Sequence, residues 1–188
     1  MKTPFQVPVL LLLAASAIAQ TAAAPAASTQ TVTSVQIVNP VSSALRDAYP
    51  SRSKNTIAAV DAMPADKFGY KPTPDQMPFG HLVVHMIEAN YLLCSKATAV
   101  PAPKVDEAKE ADGKDKLVAA LKASFDFCGD ALAKMDDSKL GETTEAMGGH
   151  QMSRARLAMG IASNWADHYA EASMYLRLNG VLPPTAGK

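Results

Sequence analysis

Apolar residues recur at helical spacing in four stretches of this chain. In the first, Val41, Leu45, Ala48 and Tyr49 make one stripe, and Ile57, Val60 and Met63 resume it beyond Pro50. Spacings of three and four residues put side chains on one side of an α-helix. Asn39-Pro40 reads as a cap followed by proline in the first turn. Pro50 predicts either one kinked helix or two short ones, and Met63-Pro64 ends the run. The next segment, PADKFGYKPTPDQMPFG, is too rich in Pro and Gly for a helix and predicts a connection with a turn begun by Thr73-Pro74. A second helix over HLVVHMIEANYLLCSKA carries a wide apolar face that includes Leu82, His85, Met86, Ala89 and Leu93. A long charged crossover, AVPAPKVDEAKEADG, separates it from a third helix at about 114–134, striped by Leu117, Leu121, Phe125, Cys128 and Leu132. After the loop MDDSKLGETTEAMGG, the fourth helix runs from about Met152 to Leu178 and stops at Asn179-Gly180, with prolines just beyond.

No stretch alternates long enough to predict a sheet. Four stripes that must each be buried against another predict an all-α four-helix bundle over residues 39–184, with its long crossover between helices 2 and 3 and a short tail at 185–188.

The N-terminus alters the picture of where this bundle works. Residues 1–19, MKTPFQVPVLLLLAASAIA, place one lysine before an apolar run of about a dozen residues and a small-x-small cleavage signature at Ala17-Ile18-Ala19. This predicts a cleaved signal peptide and a periplasmic or secreted protein. No later stretch approaches the roughly 20 apolar residues a membrane helix needs, so no stable membrane insertion is expected after cleavage. Residues 20–38 are rich in Ala, Thr and Ser and read as a flexible leader. The signal holds one of the 18 Lys+Arg and none of the 18 Asp+Glu, so its removal takes the net charge from zero to −1. That balance argues against a nucleic-acid partner. Cys94 and Cys128 would enter an oxidising compartment, where two readings stand side by side: a disulfide tying two helices, or two small buried hydrophobes.

Chemistry is suggested by polar residues on apolar faces. On helix 4, Asn164, His168, Glu171 and Tyr175 follow spacings of four, three and four, and on helix 2 His81, His85 and Glu88 do the same. Such groups destabilise a core face unless they are paired or bind something. Two of these stripes meeting inside a bundle would bring imidazoles and carboxylates within reach of one divalent ion. The competing reading is of hydrogen-bonded or exposed histidines. His150, flanked by glycines, reads as exposed. Trp165 and Phe79 read as packing anchors, Arg177 as a complement to the helix dipole, and the scattered methionines as core filler.

The segments PTPDQMPFGHLVVHMIEANYLLC and ADHYAEASMYLRLNGVLPP resemble the DinB-like superfamily over about Val41 to Pro184. The resemblance implies a four-helix bundle with three metal-binding histidines, one on helix 2 and two a turn apart on helix 4. His85 matches the first position and His168 the last. Asn164 stands at the middle one, so His81 and Glu171 become candidate substitute ligands. The implied cofactor is a divalent metal ion, zinc or nickel first, with iron or manganese as alternatives. The implied activity is a metal-dependent hydrolase or thiol/group transferase on a small-molecule substrate, with Glu171 or Glu88 as catalytic carboxylate and Asp167 orienting a neighbour. The alternative is a non-catalytic binding or structural bundle that has lost a ligand. Pairing of two chains through helix faces is a further expectation.

Overall fold

The computed structural model describes residues 36–187; the predicted signal peptide, most of the predicted leader and Lys188 lie outside the described residues. The chain forms a four-helix bundle of α1 (Pro40–Ala62), α2 (Phe79–Thr98), α3 (Lys114–Ala133) and α4 (Arg154–Leu178). Both α1 and α2 pack against α3 and α4. The predicted stripes supply the core: Val60, Leu82, Leu117, Leu121, Ile161 and Leu176 are all essentially inaccessible to solvent. Among the described residues, no helix is long and apolar enough to cross a membrane.

Pro50 leaves α1 a single helix. Its neighbour Tyr49 donates its hydroxyl to the Phe125 carbonyl at 2.9 Å. The Tyr49 ring lies so close to α3 that a Cβ on Gly129 would meet the phenol oxygen at 2.7 Å, so glycine is required for this helix approach. The start of α1 is where Asn39-Pro40 predicts it, but the cap comes from elsewhere. Asp137 accepts the Val41 and Ser42 backbone N–H groups at 2.8 and 2.9 Å, while Asn39 Oδ1 accepts from Asp137 N at 3.2 Å. Arg46 returns the link, donating to the Leu132 and Met135 carbonyls at the end of α3. One end of the bundle is thereby laced by groups that satisfy orphan helix termini.

Two expectations about the loop before α4 are corrected. A short antiparallel hairpin is present, β1 (Thr143–Glu145) pairing with β2 (Gln151–Ser153). With three residues on each side it is too short to show as alternation in the sequence. Because Met152 belongs to β2, α4 begins two residues later than predicted, capped by Ser153 Oγ, which accepts from Arg156 N at 3.2 Å. Arg154 then ties this corner to α2, donating to the Lys96 carbonyl and to Glu142 Oε2. At the far end of α4, Gly180 adopts φ 72° and Val181 N returns to the Leu176 carbonyl at 2.9 Å, the glycine stop that Asn179-Gly180 predicts.

The two readings of the cysteines resolve in favour of a disulfide. Cys94 on α2 and Cys128 on α3 are bonded, with their Cα atoms 5.4 Å apart. Both sulfurs lie in the closed interior of the bundle.

Candidate metal and ligand site

The packing of α2 on α4 decides which polar residues meet. Leu82, Met86 and Ile87 on α2, and Ile161, Trp165 and Ala172 on α4, are buried and set the rotation of the two helices. That rotation brings the rings of His85 and His168 to 4.8 Å between centroids, with their planes at 86°. His168 Nδ1 lies 3.3 Å from Glu171 Oε2, one turn further along α4. Asn164, one turn before His168, borders a surface cleft together with His85 and a small inner void together with His168. His85, Asn164 and His168, the three positions marked by the sequence resemblance, are therefore neighbours.

Other candidates are placed differently. The His81 ring is turned toward the crossover, its Nδ1 3.6 Å from Glu110 Oε2, and it is largely exposed. Gly80 permits that approach: a Cβ there would meet Glu110 Cγ at 3.2 Å. Glu88 and Asp167 are exposed on the rim of the same cleft as His85, whereas Glu171 faces His168. Tyr175 is buried and donates its hydroxyl to the Met77 carbonyl at 2.6 Å, holding the connection before α2 against α4.

The cleft has a volume of about 420 Å³. Leu92, Leu93 and Ala89 form its apolar wall, and Met147 from the hairpin tip closes one side. Partial desolvation lowers the pKa of His85, and the neighbouring His168 lowers it further, outweighing the opposing pull of Glu88 and Glu171. Its imidazole is consequently held in the neutral, ligating form at neutral pH. With Nδ1 of His168 engaged by Glu171, its Nε2 is the nitrogen left to ligate, the carboxylate–histidine arrangement that fixes ring orientation around metals. In chemical type this donor set fits a borderline divalent ion through two imidazoles, with the poorer amide oxygen of Asn164 beside them. As the side chains stand, no three His, Cys, Asp or Glu residues among the described residues are grouped to hold a metal.

Sequence reasoning passed over the polar residue at the centre of the bundle. Asn90 is buried within the apolar face of α2, accepts from Trp165 Nε1 at 2.8 Å and donates to Ser124 Oγ at 3.0 Å. Its signal was present: an amide at the spacing of Met86 and Leu93, where a core helix would carry Leu. The expectation that the methionines fill the core holds for Met63, Met86 and Met135 and fails for Met147, Met159 and Met174, which are substantially exposed. The sequence does not distinguish them, because exposure depends on what packs opposite. Phe79 and Trp165 are buried anchors, and His150 is exposed, as expected.

Comparison with known proteins agrees with this architecture. Among curated proteins none matches the chain. A crystallised DinB-like protein from Bacillus subtilis is similar in structure, with a TM-score of 0.58 and 16% identity, covering 73% of this chain and 92% of its own. Another, from Bacillus cereus, has a TM-score of 0.60 and 13% identity, covering 74% of this chain and 93% of its own. At such identity the likeness concerns the fold alone. The DinB superfamily profile matches residues 51–172, which span the second half of α1, all of α2 and α3 and most of α4; the chain belongs to the DinB superfamily.

Proposed function

We propose that this protein is an exported member of its superfamily in which His85 and His168 hold a divalent cation at the wall of a small-molecule cleft, for hydrolysis or group transfer. The observation that carries the reading is the meeting of two imidazoles from separate helices, 4.8 Å apart, beside Asn164. A bound zinc- or nickel-like ion would supply Lewis acidity and lower the pKa of a water or thiol. The chain's own contributions are distinct from that. Glu171 keeps a proton on His168 Nδ1 and so presents Nε2. Glu88 and Asp167, on the rim, are positioned to take or deliver a proton at the cleft mouth. The apolar wall of Leu92 and Leu93 limits water around a bound ligand. Export is supported by the signal-like residues 1–19 and by the Cys94–Cys128 disulfide, since such bonds persist in oxidising compartments.

A second reading is favoured by one observation. Asn164 occupies the position that the resemblance gives to a ligand, and among the described residues no three His, Cys, Asp or Glu side chains are grouped to hold a metal, which suits a non-catalytic binding bundle. Elemental analysis of freshly purified protein separates the two. The first reading expects about one equivalent of zinc, nickel or a similar ion, reduced at least tenfold in His85→Ala and His168→Ala with little change in thermal stability. A metal-free parent that also fails to take up added zinc leaves only the second.

A further inference from the structure

The cleft beside His85 does not end at Asn164. A second depression of about 390 Å³ runs along α4 toward its N-terminus, and the two share Leu93, Met147, Gly160 and Ser163 as lining. Gly160 lies at their junction and has no side chain to divide them; even an added Cβ would only reach ordinary contact with Leu93 at 3.7 Å. The second depression is walled mainly by Leu157, Met152, Met147 and Met159. Met147 and Met159 are 52% and 72% exposed, so their side chains are accessible to a ligand lying in the depression that they line. Thioether chains adapt their shape to what lies against them, which suits them to line a ligand trough.

The charges at the two ends differ in sign. Glu88 and Asp167 stand at the His85 end, whereas Arg156 stands at the other. Arg156 is fixed in the first turn of α4 by the bond from its N–H to Ser153 Oγ, its side chain is exposed, and it enters no salt bridge among the described residues. Arg156, Gly160, Ser163, Asn164 and Asp167 follow helical spacing, so they lie along one side of α4. The eight steps from Arg156 to Asn164 span about 12 Å at the helical rise.

From this juxtaposition we propose that the trough binds an elongated ligand with an unbranched apolar body and a terminal carboxylate, the carboxylate at Arg156 and the other end at the His85–His168 pair. This names the substrate class of the site proposed above and rests on that reading. In the metal-free protein an anionic terminus is repelled by Glu88 and Asp167 and attracted by Arg156, the one lysine or arginine among the residues lining the two depressions, so charge sets the direction of binding there. The methionine-lined middle accepts a chain of roughly eight to ten methylenes, the length that fits the ~12 Å span.

The test is calorimetric titration of the chelator-treated, metal-free mature protein with decanoate, butyrate and 1-decanol, all below the concentrations at which they aggregate. Expected are saturable one-to-one binding of decanoate and no detectable binding of butyrate. Gly160→Phe, which fills the junction, should weaken decanoate at least tenfold, and Arg156→Gln should weaken decanoate several-fold while leaving 1-decanol unchanged. Should Gly160→Phe lose its helical circular dichroism, Met159→Asp replaces it, since that exposed residue can change without disturbing the core. Absence of saturable decanoate binding, or binding indifferent to both the trough variant and Arg156→Gln, overturns the proposal. Zinc uptake by each variant, measured separately, keeps the two readings apart. Decanoate binding by a protein that takes up no zinc defeats only the metal reading, and zinc uptake without decanoate binding defeats only the trough.

Discussion

Two polar clusters sit about one helical turn apart on the same pair of helices, and they differ in how completely they are satisfied. Around Asn90 the network is closed: Trp165 donates to its oxygen, its nitrogen donates to Ser124, and Ser124 in turn donates to the Leu121 carbonyl. Cys128 Sγ lies 3.4 Å from the Asn90 carbonyl oxygen, so the disulfide adjoins the same cluster. Around His85 and His168 the network is open. Among the described residues only Glu171 engages a ring nitrogen of the pair, Asn164 borders a cleft, and Thr56 Oγ1, buried beside the inner void that His168 and Asn164 line, has no hydrogen-bond partner. Fully paired buried polar groups stabilise and specify a core, as around Asn90, whereas His85 is solvent-exposed and Asn164 and His168 are half-buried, so these side chains are open to a ligand.

The comparison predicts that damage to the closed cluster is felt in folding and damage to the open one in binding. The largest effect should follow removal of the disulfide by Cys94→Ala with Cys128→Ala. The bond closes a 34-residue separation, for which chain entropy gives a loss of about 4 kcal/mol, read from the denaturant midpoint. Asn90→Ala should cost about 3 kcal/mol, because it leaves Trp165 Nε1 and Ser124 Oγ buried without their partner. Metal content per folded molecule should stay at the parent value; a loss of metal there would erase the distinction between the clusters.

A gain of function sharpens the contrast further. Asn164→His places a third imidazole between His85 and His168 and should tighten zinc by about tenfold or more, with stability changing by less than about 1 kcal/mol. Competition with a chelator measures it, and unchanged affinity would place residue 164 outside the ligand sphere. The smallest effect is on pH dependence. Desolvation and His168 hold His85 below the ordinary histidine pKa of about 6.5. The unfolded chain therefore binds this proton more readily than the folded one. The stability it contributes is complete above about pH 6.5 and declines as pH falls toward the lowered folded value. His85→Asn should flatten that decline in a series of melts, while zinc affinity of the parent should fall over the same acidic range.

The helices were legible because their signals are local. Gly180 and its following prolines marked the end of α4, and the apolar spacing of Leu117 to Leu132 marked α3 within a residue or so. The polar stripes of α2 and α4 were legible too, as departures from that spacing. Their roles were not. His81 and His85 share a face by periodicity, yet Glu110 from the crossover engages one while α4 meets the other. Asn90 and Asn164 are the same residue type on comparable faces, yet one is saturated within the core and the other borders a cleft. The hairpin that carries Met147 to the cleft escaped notice because three-residue strands carry too little alternation to register.

By itself the sequence determined four amphipathic helices, their stops, and the presence of imidazole, amide and carboxylate on two of them, since helical period and capping depend on residues within one turn of each other. Tertiary structure decided that α2 lies against α4, that Cys94 reaches Cys128, that Asp137 caps a helix almost a hundred residues away, and that three dispersed methionines line one trough. Those outcomes depend on which apolar faces pack together and at what rotation, a competition among long-range contacts that no short window of residues contains.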